Sequence, residues 1–415
     1  MVSCLFYSHR FKQNLFIMLS TFLPLLLSVT VSVTNPSKAE MTNQVIEVGV
    51  PAEAGTVNSA NFKENGTAAN IAYQLEDQNQ DGHVDFLAFQ LPQIKGKKTR
   101  TFEITFSDAP ATTKVEAKTS AYMKLNDKNK KHPKFLAITF PRDAVSRAMY
   151  DSFYGHGAVL ENLYSAIRVY MDNRQSVDLY AKHTPQLELA TTGFYTTRAQ
   201  MEEGYGRDIL WAGTSVALGS FRAWYENKPL TIDSVTNRGE RIIADGPIRS
   251  IIEVFDNGWV ATPGAQPVDM TQRYTTYADR RDYTVDIQLN GLKTKEVYCT
   301  GIQKLMNDNV GFINKDGLAG SWGWNIPDKG MAEVTDTLGL GIYVAPEYLA
   351  GTLEDDVNYL TLLKPNADGH IQYHFTSAAL RDVTSPRTAE AWFAELKKWQ
   401  KTVAISPIVE VKINK

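Results

Sequence analysis

YGHGAVLENLYSAIRVYMDNRQSVDLYAK, residues 154–182, holds two runs of period-two alternation around a short polar turn. In the first run Leu163, Ile167, Val169 and Met171 fall on one face, and Tyr164, Arg168, Tyr170 and Asp172 on the other. In the second, Val177, Leu179 and Ala181 alternate with Asp178, Tyr180 and Lys182. Period two is the strand signal, and the turn at Asn173-Arg174-Gln175 predicts an antiparallel hairpin. One face of this ribbon is apolar; the other carries tyrosines, an arginine, a lysine and two aspartates. Aromatic rings and cations on a sheet face suit an anionic sugar, although an ordinary half-solvated antiparallel sheet shows the same alternation.

The chain on either side reads as strands too. Val45 to Val50, Ile71 to Leu75, Phe86 to Leu91 and Thr101 to Phe106 predict a small N-terminal β domain over 40–113. Beyond the ribbon, Arg249 to Phe255, Thr271 to Tyr277, Tyr283 to Leu289, Glu296 to Lys304, Leu338 to Val344, Tyr359 to Leu363 and Ile371 to Phe375 are further strands, and Ile408 to Ile413 closes the chain. Helical signals are few: Arg142 to Ser152, a capped turn after Thr196 or Thr197, and Thr388 to Val403 with Trp392, Leu396 and Trp399 at helical spacing. Many strands and few helices predict a mainly β protein, a large antiparallel β-sandwich over 114–415 behind the small N-terminal β region. Tyr205 to Trp211, aromatic, charged and glycine-flanked, reads as a rim loop.

Residues 1–39 carry a secretory pattern: His9, Arg10 and Lys12, then an apolar run from about Leu15 to Val33, then Ser37-Lys38-Ala39 as a cleavage site. The expected location is periplasmic or secreted, with no membrane association after cleavage. Its removal leaves Cys299 alone, so no internal disulfide is expected. The net charge of −3 excludes nucleic-acid binding through bulk electrostatics.

His156, between Gly155 and Gly157 just before the ribbon, is the leading candidate for proton transfer; a hydrogen-bonded turn histidine is the plainer alternative. Arg249, Glu253, Arg273, Tyr274, Gln303 and Lys304 are candidates for the same sheet face. Asp77, Asn79, Asp81 and Asp85, with Gly82, begin like a calcium loop, but Ala88 stands where a bidentate Glu is needed. A structural calcium there competes with a metal-free Asx turn, and no other cofactor is expected. His370 and His374 share one strand face as a weak metal pair, and Cys299 reads as a packing residue.

YGHG, RVYMDNRQSVDLYAK, GYGRDILWAG, RIIADGPIRSIIEV, YCTGIQKL and GLAGSWG together resemble a family of exported bacterial proteins built on a domain of unknown function. That family occurs with polysaccharide-degrading enzymes and includes the oligosaccharide dehydratases of ulvan breakdown. The resemblance covers nearly the whole chain after the leader. It implies a β-sandwich of the polysaccharide-lyase and galactose-mutarotase kind. It also implies an anionic oligosaccharide as partner and removal of water from the uronic acid at its non-reducing end. On that expectation His156, Tyr170, Tyr180 and Arg168 are catalytic, His156 and a tyrosine sharing the base and acid roles and Arg168 meeting the carboxylate. Tyr164, Lys182, Arg249, Tyr274 and Lys304 bind substrate. A polysaccharide lyase working by β-elimination and a non-catalytic sugar-binding protein are the alternatives.

Overall fold

The computed structural model describes residues 27–292, 296–325 and 336–414. The basic start and most of the apolar run of the expected leader lie outside them. The fold is mainly β, built as two stacked-sheet units. In the larger unit a nine-stranded antiparallel sheet runs in the order Asn307–Ile313, Leu318–Asn325, Asp336–Val344, His370–Ala379, Tyr283–Asn290, Val268–Tyr277, Arg249–Trp259, Asn237–Asp245, Ala137–Pro141. One face of it is covered by two five-stranded sheets side by side. One of these contains Arg222–Tyr225, Tyr298–Gln303 and Asn358–Leu363; the other contains the ribbon.

The alternation read from the sequence is what builds this core. Ile167, Val169, Met171, Val177, Leu179 and Ala181 from the ribbon meet Ile252, Val254, Tyr274, Val285 and Tyr373 of the large sheet in one buried cluster. Each fully buried aliphatic side chain of this kind contributes about 1.5–3 kcal/mol. The outer face of the large sheet is covered as well. The helix Ala389–Val403, capped by Thr388 accepting from the Ala391 amide, lays Trp392 and Leu396 on it. Glycine permits that approach: a Cβ on Gly341 would sit 2.3 Å from a Leu396 methyl.

The smaller unit pairs a three-stranded sheet (Met41–Gly49, Phe86–Ile94, Tyr73–Glu76) with a five-stranded one. Its boundaries differ from the expected 40–113. Ser28–Thr34 is an inner strand of the five-stranded sheet, with Val29, Val31 and Val33 fully buried. A leader ending at 39 would remove it. Ile408–Asn414 leaves the large unit to pair with that strand along its whole length. Apolar alternation identifies such strands but not the sheet they join. Among the described residues no helix is long and apolar enough to cross a membrane.

The ribbon sheet places the site. Its order is Arg207–Asp208, Val177–Ala181, Ser165–Tyr170, Gly157–Asn162, Thr119–Tyr122. The register sets Arg168 directly opposite Asp178, Ala166 opposite Tyr180, and Tyr180 opposite Asp208. Gly157 sits where a Cβ would lie 1.7 Å from the Val169 carbonyl oxygen, so only glycine fits.

Candidate functional site

The polar face of the ribbon is covered, not solvated. Residues 188–213 fold back over it through two short helices, Leu189–Thr192 and Arg198–Glu202, and the edge strand Arg207–Asp208. Buried carboxylates tie this cap down. Glu161 accepts from the Glu188 and Leu189 amides and from Lys182 Nζ at 2.7 Å. Lys182 spends its other donors on the Asn162 and Gln186 carbonyls. The Tyr180 hydroxyl is bonded to Thr192 (3.1 Å) and Thr196 (2.9 Å), which bracket Tyr195. Cap and ribbon enclose a cleft of about 330 Å³. Its walls include Tyr150, His156, Arg168, Arg174, Tyr195, Arg207 and Trp211.

His156 enters the cleft with φ of 68°, a left-handed conformation uncommon outside Gly and Asn. Its ring stacks on Tyr150 at 3.7 Å between centroids and 9° between planes. Nδ1 lies 3.1 Å from the Tyr150 carbonyl oxygen. A carbonyl only accepts, so this bond assigns the proton to Nδ1 and leaves Nε2 with a bare lone pair. Burial lowers the imidazole below its usual range, the Tyr150 carbonyl bond opposes this, and the Arg168 charge lowers it further. His156 is therefore neutral near pH 7, with Nε2 in the form that takes a proton.

Arg168 lies at the bottom of the cleft, fully committed. It donates to Asp178 (2.6 and 2.9 Å) and Asp208 (2.7 Å), and more weakly to the Tyr170 and Tyr195 hydroxyls and the Gly155 carbonyl (3.3 Å each). Its guanidinium lies over the Phe194 ring at 4.2 Å. Burial alone would lower its pKa, but Asp178, Tyr170 and Asp208 outweigh that and hold it above the usual value. Tyr170 donates its hydroxyl proton to Asp178 at 2.7 Å; burial, then the Asp178 charge, drive its pKa far up.

These contacts revise the expected roles. His156, Arg168 and Tyr170 do meet in the cleft, but Arg168 has its carboxylates already and Tyr170 its acceptor, so they frame the site. Tyr180 is wholly buried and holds the cap. Lys182 is a buried ion-pair partner of Glu161. Tyr164 sits beyond the strand end under Arg281. Arg249 and Tyr274 project from opposite faces of the large sheet. Arg249 pairs with Glu76 and Glu47 of the N-terminal unit, and Tyr274 donates inside the core to Gln272. Arg273 and Arg241 both bind Glu253 on that outer face. Lys304 pairs with Glu354, and Gln303 bonds to Ser215 and the Trp211 carbonyl.

The cap supplies what the sequence reading missed. Tyr195, 46 % exposed, accepts from Arg168 and so keeps its own hydroxyl proton available. Burial raises its pKa and Arg168 partly offsets this, so it stands protonated. Its ring centroid is 6.2 Å from that of His156. Trp211, 43 % exposed, offers a flat apolar wall. Arg174 is bound to Asp172 at 2.6 Å and lies over the Tyr150 and Tyr170 rings. For Trp211 the signal in the sequence was the aromatic and charged composition of GYGRDILWAG; Tyr195 lies outside that run, and Arg174 belongs to the ribbon turn.

Outside the cleft, the loop weighed as a calcium site or a metal-free Asx turn is organised by side-chain bonds to its own backbone. Asp85 accepts from the Gln78 and Asn79 amides, Asp77 from Asp81 and Gly82, and Asp81 from His83. Among the described residues no group of three or more His, Cys, Asp or Glu converges as a metal site. His370 is held by Tyr348 and Asp286, and His374 by Thr284. Cys299 is buried, with its thiol pushed up to about 12 by burial.

A family model described as a domain of unknown function, DUF4861, matches residues 33–409. No curated protein matches the chain. Similar solved structures include a protein in the Glycosyl Hydrolase Family 38 from Enterococcus faecalis, 8% identical with a TM-score of 0.46, covering 93% of this chain and 47% of that one. An alpha-mannosidase from Enterococcus faecalis V583 is 9% identical with a TM-score of 0.46, over 93% of this chain and 46% of the other. The chain thus spans about half the length of either.

Proposed function

The chain belongs to the family of that domain of unknown function, DUF4861, and from its cleft we propose that it is an exported carbon–oxygen lyase, a dehydratase acting on the non-reducing-end uronic acid of an oligosaccharide. The observation that carries this reading is His156: neutral, fixed as the Nδ1–H tautomer, its Nε2 unclaimed among the described residues, facing a cleft of one or two sugar rings. The resemblance of its motifs to the oligosaccharide dehydratases of ulvan breakdown supplies the reaction class.

In this reaction Nε2 of His156 takes the C5 proton, which is acidic only while the neighbouring carboxylate's charge is compensated. The C5–H electron pair forms the C4–C5 double bond, and the C4–O bond breaks. Tyr195, protonated and beside Arg168, gives its proton to the departing oxygen, which leaves as water. Arg168 keeps a positive charge under the developing enolate, and the polar groups are fixed before substrate arrives, as electrostatic stabilisation requires. Trp211 offers a stacking wall for the apolar face of a sugar.

The test is incubation of the protein with saturated uronate-terminated oligosaccharides, including sulfated rhamnose–uronate ones, followed by mass spectrometry and ultraviolet absorbance. Loss of one water with a new unsaturated-uronate absorbance is the expected result. Cleavage into two fragments would make the protein a polysaccharide lyase, and binding without any product would make it a sugar-binding protein.

A further inference from the structure

We infer that the last strand, Ile408–Asn414, is a docking edge for a second copy of this chain, the two strands pairing antiparallel about a two-fold axis at Val411. This is independent of the dehydratase reading. The strand is the outermost of the order Ile408–Asn414, Ser28–Thr34, Thr99–Ser107, Ser59–Glu64, Thr67–Ala69. Among the described residues its outward N–H and C=O groups therefore have no ladder partner. It pairs with Ser28–Thr34 along all 7 residues without a bulge. Sheet edges are commonly blunted by shortness, proline or a bulge. The opposite edge of this sheet is only 3 residues long; Ile408–Asn414 has none of those devices.

Residues directly opposite each other on paired strands share a face. Ile413, Val411 and Val409 stand opposite Val29, Val31 and Val33, which are fully buried in the core of the N-terminal unit. Yet Ile413, Val411 and Val409 are themselves 48, 48 and 37 % exposed, so the apolar face of the sheet stops open at this edge. Glu410 and Lys412 alternate with them on the outer face and are exposed. A two-fold axis at Val411 sets Glu410 of each copy opposite Lys412 of the other, and Val409 opposite Ile413. Both charges are then matched, and the apolar row continues from one five-stranded sheet into the next. Other registers fail. A slip by one residue turns the charged face of one copy toward the core side of the other. Centring on Glu410 or on Lys412 sets like charges against each other. Lys412 alone would guard the edge against pairing; Glu410 two positions before it makes it half of a matched pair. An isologous contact of this kind closes at two copies.

Light scattering on the full chain as it elutes from a size-exclusion column tests this. The wild type is expected at the mass of two chains. Glu410→Lys and Lys412→Glu each place two like-charged pairs across the axis, and each is expected at the mass of one chain. Mixing the two variants matches both pairs again in a heterodimer, and the double variant Glu410→Lys/Lys412→Glu matches them in a homodimer. Both are expected to return to the mass of two chains, which separates lost pairing from lost folding. A monomeric wild type, single variants that stay dimeric, or a mixture and a double variant that stay monomeric would each overturn the assignment.

Discussion

Replacing His156 by asparagine should separate chemistry from folding. His156 stands at φ 68°, where Asn is far better tolerated than most residues. The substitution loses the stack on Tyr150, about 0.5–1.5 kcal/mol, and the Nδ1 bond to the Tyr150 carbonyl, a further ~0.5–1.5 kcal/mol unless the shorter amide reaches it. Against this, relief of the left-handed conformation returns up to about 1 kcal/mol. The net change in stability is therefore of order 1 kcal/mol. Loss of a general base, by contrast, slows turnover by about 10²–10⁴-fold, or ~3–5 kcal/mol of barrier. Urea unfolding of the two proteins, with initial rates of chromophore formation on the same substrate, measures both quantities. A rate within threefold of the wild type would remove His156 from the mechanism. A stability loss above ~3 kcal/mol would make it a structural turn residue instead.

The pH dependence of turnover follows from the same groups. With the His156 pKa below the usual 6.5, the active neutral form persists on lowering the pH through 6.5 and is lost only below it. With Tyr195 raised above 10.0, the alkaline limb lies beyond that value. A plateau across pH 7–9 is expected, and a kcat falling already between pH 8 and 7 would contradict it. Asp178→Asn removes one of two carboxylates from the buried Arg168 and the charge from the Tyr170 acceptor. It should destabilise by about 3–5 kcal/mol, read as a lowered urea midpoint. Acid sensitivity should also appear in the native state through His374, whose pKa burial depresses from 6.5 to about 4. The unfolded chain takes up its proton below 6.5 while the folded one resists until about 4. Stability is therefore lost as the pH falls through that window, by ~2 kcal/mol after allowing for partial solvent access of the ring. His374→Gln should flatten that part of the stability–pH curve.

Much of the fold was legible because period two reports directly which side chains face a core. Ile167, Val169, Met171, Val177, Leu179 and Ala181 of the ribbon lie in the core as the alternation predicts. The helix over 389–403, with its Thr388 cap, follows from spacing and capping chemistry alone. What alternation cannot report is the element lying on the other side. Tyr180 and Lys182 share the face of Asp178, yet the cap seals them in while Asp178 remains at the cleft. Arg249 and Tyr274 sit on neighbouring strands, but the register pairs Tyr274 with Ile252 and Arg249 with Tyr277. One position of parity separates a core hydroxyl from an ion pair with the N-terminal unit.

The same distinction decides which charges can act on a ligand. A charged residue type at a site says only that a field is present; the partners say whether its donors are available. Arg168 looked like the anion-binding residue because it is the arginine of the central ribbon. Its strand neighbour Asp178 and the cap residue Asp208 consume its fork, and the energy of that triad goes into holding cap to ribbon. Arg207, from a two-residue strand with no periodicity to mark it, stands opposite Ala181 on the other face of the ribbon, where its nearest charges are Arg381 and Asp336. Its flanking contacts are identifiable: Glu188 accepting the Gly206 amide on one side, and Asp208 bound to Arg168 on the other. Together they fix the backbone on both sides of Arg207.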